Sequence, residues 1–151
     1  MESVPVEEQV VIGALRVGWA IESLLDKFAA EFGVTVLQYN VLRICYVRDV
    51  DGTGIPSSTF GKYLMRRVPD VSRMIDRLVT AGLFERLPSA TDRRVVLIRL
   101  TEAGLDLVER TLPLLLAHNK KLFAHMSEGE LEKLAKGLGR ALEGVLSARD
   151  E

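Results

Sequence analysis

The chain is 151 residues long, with 20 Lys and Arg against 21 Asp and Glu and a formal charge of −1. Hydrophobic residues make up 48% and charged residues 27%, which describes a globular domain with a core to bury and excludes disorder as the starting expectation. Twelve Gly, five Pro and one Cys exclude a collagen-like repeat, a Pro-rich linker and a disulfide framework. No apolar run is long enough to cross a membrane, and Met1 to Gln9 is acidic without a basic leader, so neither a membrane partner nor secretion is expected. A reduced, cytoplasmic protein follows.

The near-zero charge argues against a nucleic-acid partner until it is divided by segment. Residues 60–100 hold nine basic side chains (Lys62, Arg66, Arg67, Arg73, Arg77, Arg86, Arg93, Arg94, Arg99) against four acidic ones (Asp70, Asp76, Glu85, Asp92), a net of +5. The remaining eleven basic and seventeen acidic residues sum to −6. Eight of the nine basics are Arg, the side chain suited to forked contact with phosphate and guanine edges. A solvated face with internal ion pairs would produce the same count.

In chain order, Val10, Val11, Ala14, Val17, Ile21, Leu24, Leu25 and Phe28 recur at helical spacing and predict a long helix from about Pro5 to Glu31, ended by Gly33. Val36 to Val47 predicts a second, more apolar helix with Thr35 as N-cap, and Asp49 to Gly54 a loop. Ile55-Pro56 reads as a short extended piece. The hydroxyls of Ser57-Ser58-Thr59 are placed to cap a helix of about eight residues. Val68-Pro69 breaks it, and Pro69 suits the first turn of the next helix, Pro69 to Ala81, stopped by Gly82.

Leu83 to Leu87 and Arg94 to Leu100 predict two strands, with turn chemistry at Pro88 to Asp92 making them a hairpin. Thr101 to Gly104 opens a helix striped by Leu105, Val108, Leu112, Leu115 and Leu116, which Pro113 should kink or locally break. Ser127 and Glu130 form a capping box for a last helix seamed by Leu131, Leu134, Leu138, Ala141, Leu142 and Val145. The fold class is therefore mainly α. Two short helices at a tight turn followed by a hairpin describe a winged helix-turn-helix, whose second short helix enters the major groove.

Val71-Ser72-Arg73-Met74-Ile75-Asp76-Arg77-Leu78, Gly82-Leu83-Phe84, Asp92-Arg93-Arg94 and Leu100-Thr101-Glu102-Ala103-Gly104 together resemble the MarR family of bacterial transcriptional regulators. Their spacing matches the family's wing signature without a gap, and the flanking helices agree in length and order. The chain departs from the family at Pro69-Asp70, where Ser or Thr is common at the start of the recognition helix. The preceding Met65-Arg66-Arg67-Val68 also lacks the usual Gly.

The resemblance implies a DNA-binding regulator, not an enzyme, with a winged lobe at 34–101 and dimerisation helices at 1–33 and 102–151 in one domain. Arg73, with Ser72 beside it, is the candidate base contact on the recognition helix. Arg77 is open between phosphate contact and an internal ion pair. Asp70 fits a helix N-terminus better than a base edge. By resemblance Arg94 is the wing arginine for the minor groove, Asp92 orients it or its neighbours, and Arg93 touches phosphate. Lys62, Arg66 and Arg67 line the phosphate backbone near Pro69.

The three long apolar stripes exceed what so small a lobe can cover, so pairing with a second copy is expected, and with it a pseudo-palindromic operator in double-stranded DNA. A monomer with the terminal helices folded back is the alternative. The resemblance also implies a small aromatic or anionic effector that releases a repressor. Arg16, Trp19, Tyr39, Tyr46 and His118 are the candidate liners, with core or interface packing as the other reading of Trp19 and the tyrosines.

Other motifs carry less. Asp49 to Gly54 opens like a calcium loop, but its twelfth position is Phe60 where a bidentate Glu is required. His118 and His125 have no Cys partner nearby, so no metal or other cofactor is expected. Cys45 reads as a small buried hydrophobe, with redox sensing as its alternative. A winged-helix module that binds protein in place of DNA is a further alternative, and no nucleophile–base set or Gly-rich phosphate loop points to catalysis.

Overall fold

Helices with capping signals begin where those signals stand. In a computed structural model, which describes residues 4–64, 70–90, 92 and 94–148, α1 spans Val6–Ala30 and α2 Val36–Arg48. Thr35 Oγ1 accepts from the Gln38 N–H at 3.2 Å, and Gln38 Oε1 accepts from the Thr35 N–H at 2.9 Å. The reciprocal pair satisfies two amides that a helix start leaves open. The chain continues through β1 (Ile55–Pro56), a 3-10 turn (Ser57–Thr59), α3 (Phe60–Tyr63) and α4 (Val71–Thr80). It then forms β2 (Phe84–Pro88), β3 (Val96–Leu100), α5 (Glu102–Leu122) and α6 (Glu128–Ser147).

Three predicted boundaries need correction. The helix of about eight residues capped by hydroxyls is a 3-10 turn followed by only four α-helical residues. Ser57, Ser58 and Thr59 are the turn itself, and no side-chain cap bond forms at the start of either piece. The next helix starts at Val71 with Asp70 as N-cap, two residues later than expected; Met65 to Pro69, with the expected first-turn Pro69, lie outside the described residues. Pro113 does not break α5, whose helical assignment runs across it at the cost of the one N–H that Pro lacks.

The strands pair antiparallel in the order β1-β3-β2, with Phe84 opposite Leu100, Arg86 opposite Ile98 and Ile55 also opposite Ile98. The chain divides into two compact units, Met1–Thr111 and Leu112–Glu151. In the first, Phe60, Ile75, Leu78, Phe84 and Ile98 are buried together with Val41, Leu42 and Cys45 of α2. The Phe60 and Phe84 rings lie 5.8 Å apart, tying α3 to the sheet. Phe28 and Tyr39 meet edge to face at 6.3 Å, where the end of α1 joins α2.

The second unit holds the last part of α5 and all of α6. Ser127 and Glu130 form the capping box read from the sequence, with the Ser127 N–H donating to Glu130 Oε2 at 2.8 Å and the Glu130 N–H to Ser127 Oγ at 3.4 Å. No residue of α6 is buried.

Candidate nucleic-acid interface

Helix α4 separates its faces sharply. Ile75 and Leu78 are buried, Val71 and Val79 half-buried, and Ser72, Arg73, Asp76 and Arg77 exposed. Asp70 caps it: Oδ1 accepts the Arg73 N–H at 2.9 Å. Its other oxygen, Oδ2, lies 3.0 Å from Arg73 Nε. Asp76 accepts from the Arg86 guanidinium, which fastens the exposed side of α4 to β2. Among the described residues Arg77 forms no ion pair, so its internal-pair reading gains nothing from the geometry.

The hairpin tip is built by Asp92. Its Oδ1 accepts the Arg94 N–H at 2.9 Å, its carbonyl accepts the Val95 N–H at 2.9 Å, and its own N–H donates to Ser89 Oγ at 3.3 Å. This is turn chemistry in which a short acidic side chain mimics a backbone acceptor. The bonds hold the Arg94 backbone and leave Arg94 exposed at the tip. Lys62 is exposed on α3, where Arg48 stacks over the Tyr63 ring at 4.0 Å. Arg66, Arg67, Pro69 and Arg93 lie outside the described residues.

Among the described basic residues, Arg86 and Arg99 are held in ion pairs that join separate elements of the lobe. Besides Arg86 on Asp76, Arg99 Nε donates to Glu85 Oε1 at 2.9 Å and its Nη1 to the Gly52 carbonyl at 3.0 Å. Glu85 and Arg99 are opposite each other in the β2–β3 register, a cross-strand charge pair.

A joint at the end of α4 was not legible from residue types alone. Gly82, at φ 72°, ends the helix, and the Thr101 hydroxyl donates to its carbonyl at 2.6 Å. Thr101 Oγ1 in turn accepts the Gly104 N–H at 3.1 Å, and the Thr101 N–H donates to the Leu83 carbonyl at 3.1 Å. A Cβ on Gly104 would stand 2.1 Å from the Leu83 carbonyl oxygen, so only Gly fits there.

Four of the effector liners, Arg16, Trp19, Tyr39 and Tyr46, belong to the first unit and stand in different surroundings. Tyr46 borders an open cleft of about 700 Å³ with Cys45, Asp49, Arg99, Leu100 and Leu105. Tyr39 is buried, and its hydroxyl shares a 2.9 Å hydrogen bond with that of Thr111. Arg16 and Trp19 are exposed on α1, and His118 belongs to the second unit. Asn40, one residue from Tyr39, has a buried Nδ2 with no hydrogen-bond partner among the described residues, which sequence reasoning did not single out.

Burial pushes the Cys45 thiol up to about 12, helped by the Asp49 charge and countered by a backbone hydrogen bond from Leu100. A thiol so held stays protonated and unreactive near neutral pH, which removes the support for redox sensing. Among the described residues no three His, Cys, Asp or Glu side chains cluster as metal ligands, and no helix is long and apolar enough to cross a membrane.

A capped recognition helix packed on a three-stranded sheet, beside a hairpin with an exposed arginine tip, defines the winged helix-turn-helix class. The MarR family profile matches residues 34–96. The transcriptional regulator PecS of Dickeya dadantii (strain 3937) is 30% identical over 145 residues, covering 95% of this chain and 87% of PecS. The chain belongs to the MarR family of transcriptional regulators, a family that is not one of enzymes. Solved structures agree in fold. AbsC of Streptomyces coelicolor superposes with a TM-score of 0.83 at 24% identity, covering 97% of this chain and 99% of AbsC. MepR of S. aureus, in a complex with DNA, gives 0.78 at 24%, covering 94% and 99%. PcaV of Streptomyces coelicolor, with its natural ligand, gives 0.76 at 21%, covering 96% and 99%.

Proposed function

We propose that this chain acts in the cytoplasm as a homodimeric, sequence-specific DNA-binding regulator, a repressor that a small aromatic or anionic ligand releases. The observation that carries the reading is α4: its buried Ile75 and Leu78 fix one face while Ser72, Arg73 and Arg77 stand on the other. Arg73 and Ser72 contact base edges, Arg94 enters the minor groove, and Lys62, Arg66, Arg67, Arg77 and Arg93 contact phosphates. Asp92 holds the wing tip for that contact. Residues 34–101 form the DNA-binding lobe, with 1–33 and 102–151 as the dimerisation segments.

The dimer reading draws on exposed apolar residues in each segment, among them Val10, Val11, Leu15 and Trp19 of α1 and Leu138, Leu142 and Val145 of α6. Exposed apolar residues repeated along a helix in this way support an interface on each segment. For the ligand arm, Tyr46, Leu100 and Leu105 give the cleft apolar walls with charged groups at its edge. The MepR complex and the liganded PcaV are family precedents for the two partners.

The test is a mobility shift on the DNA upstream of the chain's own gene, over a range of salt, beside light scattering for mass. A sharp complex of dimer mass that weakens steeply with salt, and that a small aromatic acid dissolves, is the expected result. A chain of dimer mass that shifts no DNA would favour a protein-interaction module instead.

A further inference from the structure

We infer that Asp70 is a specificity-determining positioning residue, which holds the Arg73 guanidinium so that its two terminal nitrogens read a guanine edge. The inference rests on the DNA-binding reading above and names how that interface discriminates.

The two carboxylate oxygens of Asp70 do separate work on one residue. Oδ1 accepts the backbone N–H of Arg73 at 2.9 Å, and that bond alone completes a helix cap. Ser, Thr or Asn supplies the same bond. Oδ2, 3.0 Å from Arg73 Nε, contributes nothing to the cap and acts on the side chain. Only a carboxylate can do both, because the second polar atom of Asn is a donor that would oppose a guanidinium.

With Nε engaged, Arg73 keeps Nη1 and Nη2 as a forked pair. That fork matches O6 and N7 of guanine in the major groove. The contact does not cover the fork, since the Arg73 side chain remains 76% exposed. Arg73 lies in the first turn of α4, the part of a recognition helix that approaches base edges. A negative charge facing DNA lowers affinity for every sequence alike, so the benefit of this carboxylate lies in discrimination. Fixing one long side chain before contact removes an ordering cost that would otherwise be taken from the specific complex.

The experiment selects sites from a randomised duplex library with the full-length wild-type protein, D70N, D70S, R73K and the D70N/R73K double variant. Operator and guanine-substituted duplexes are then titrated, with thermal melts checking that each variant folds. Asn and Ser keep the cap but lose the second oxygen. Both are expected to bind random duplex as well as the wild type or better, while preference for one guanine per half-site falls about threefold to tenfold. R73K still carries an ammonium that can donate to guanine, but it has no Nε for Asp70 to hold, so D70N should add nothing to its guanine preference. An unchanged guanine preference in folded D70N and D70S overturns the role of Asp70, as does a D70N effect that persists in R73K. Failure of the wild type to bind any duplex would instead remove the DNA-binding reading itself.

Discussion

Helices α4 and α6 are both amphipathic, yet they treat their apolar faces in opposite ways. Helix α4 buries Ile75 and Leu78 almost completely within its own chain, in contact with a sheet whose Phe84 and Ile98 are equally hidden. Helix α6 buries nothing, and Leu142 and Val145 are about 60% exposed. The residue types are alike, so composition does not make the difference. The lobe has its sheet and α2 to pack against, whereas α6 has a longer stripe than its own chain covers. A surface built to meet DNA has to be rigid before contact, and its core is supplied internally. In the dimer proposed above, the core that α6 lacks would come from the second copy.

The strongest way to break this contrast is to charge the α6 stripe. Replacing Leu138 and Leu142 together by Glu should abolish the dimer, removing on the order of 6 kcal/mol or more over the four side chains of two copies. Light scattering would then give a monomer mass; a dimer mass would place the interface elsewhere. Within the lobe, Gly104→Ala should destabilise by about 3 kcal/mol, because the clash is with a backbone oxygen that cannot swing away. A denaturant melt that shifts by less than a third of that would show the joint to be loose.

Smaller effects sharpen the comparison. Arg94→Ala should leave the melt unchanged and weaken operator binding by about 1–3 kcal/mol, since Asp92 organises the tip through the Arg94 backbone, which Ala retains. Equal binding by both proteins would take the wing out of recognition. The least effect is expected at the α6 start. Hydrogen bonds from Ser127, side chain first and backbone second, hold the exposed Glu130 carboxyl below its ordinary value. A lowered value means the cap is intact above the ordinary carboxylate range and is lost as pH falls through the value in the folded protein. Exchange of the Ser127 amide, relative to its intrinsic rate, should rise as pH falls below the ordinary carboxylate range, while exchange within α4 stays slow. A Glu130→Gln variant, which cannot titrate, should flatten that rise.

Much of this was legible in the sequence because local rules carried it. The Thr35 cap, the Ser127–Glu130 box, the Gly82 stop, the Asp92 turn and the pairing of two β-rich runs all involve neighbours along the chain. Where a local signal has two structural outcomes, the reading slipped. Ser57-Ser58-Thr59 can cap a helix or form a 3-10 turn, and the position of Phe60 in the core selects the turn. Charge counting likewise left open which of the basic residues are held in internal ion pairs, and Arg86 and Arg99 are. Their partners, Asp76 and Glu85, are ten and fourteen residues away and become neighbours only through the sheet register and the docking of α4. The second oxygen of Asp70 and the hydroxyl of Thr101 were invisible for a related reason. Residue type announces a cap, but only coordinates reveal what the remaining atom touches.

The glycine at 104 has one more consequence. With no side chain between them, the first turn of α5 rests directly on the Leu83 carbonyl, and Thr101 binds both Gly82 and Leu83. There is no soft layer there to absorb a displacement. Any displacement of that turn would meet backbone at the end of α4 with no side chain in between, like the short arm of a lever pinned at Gly82.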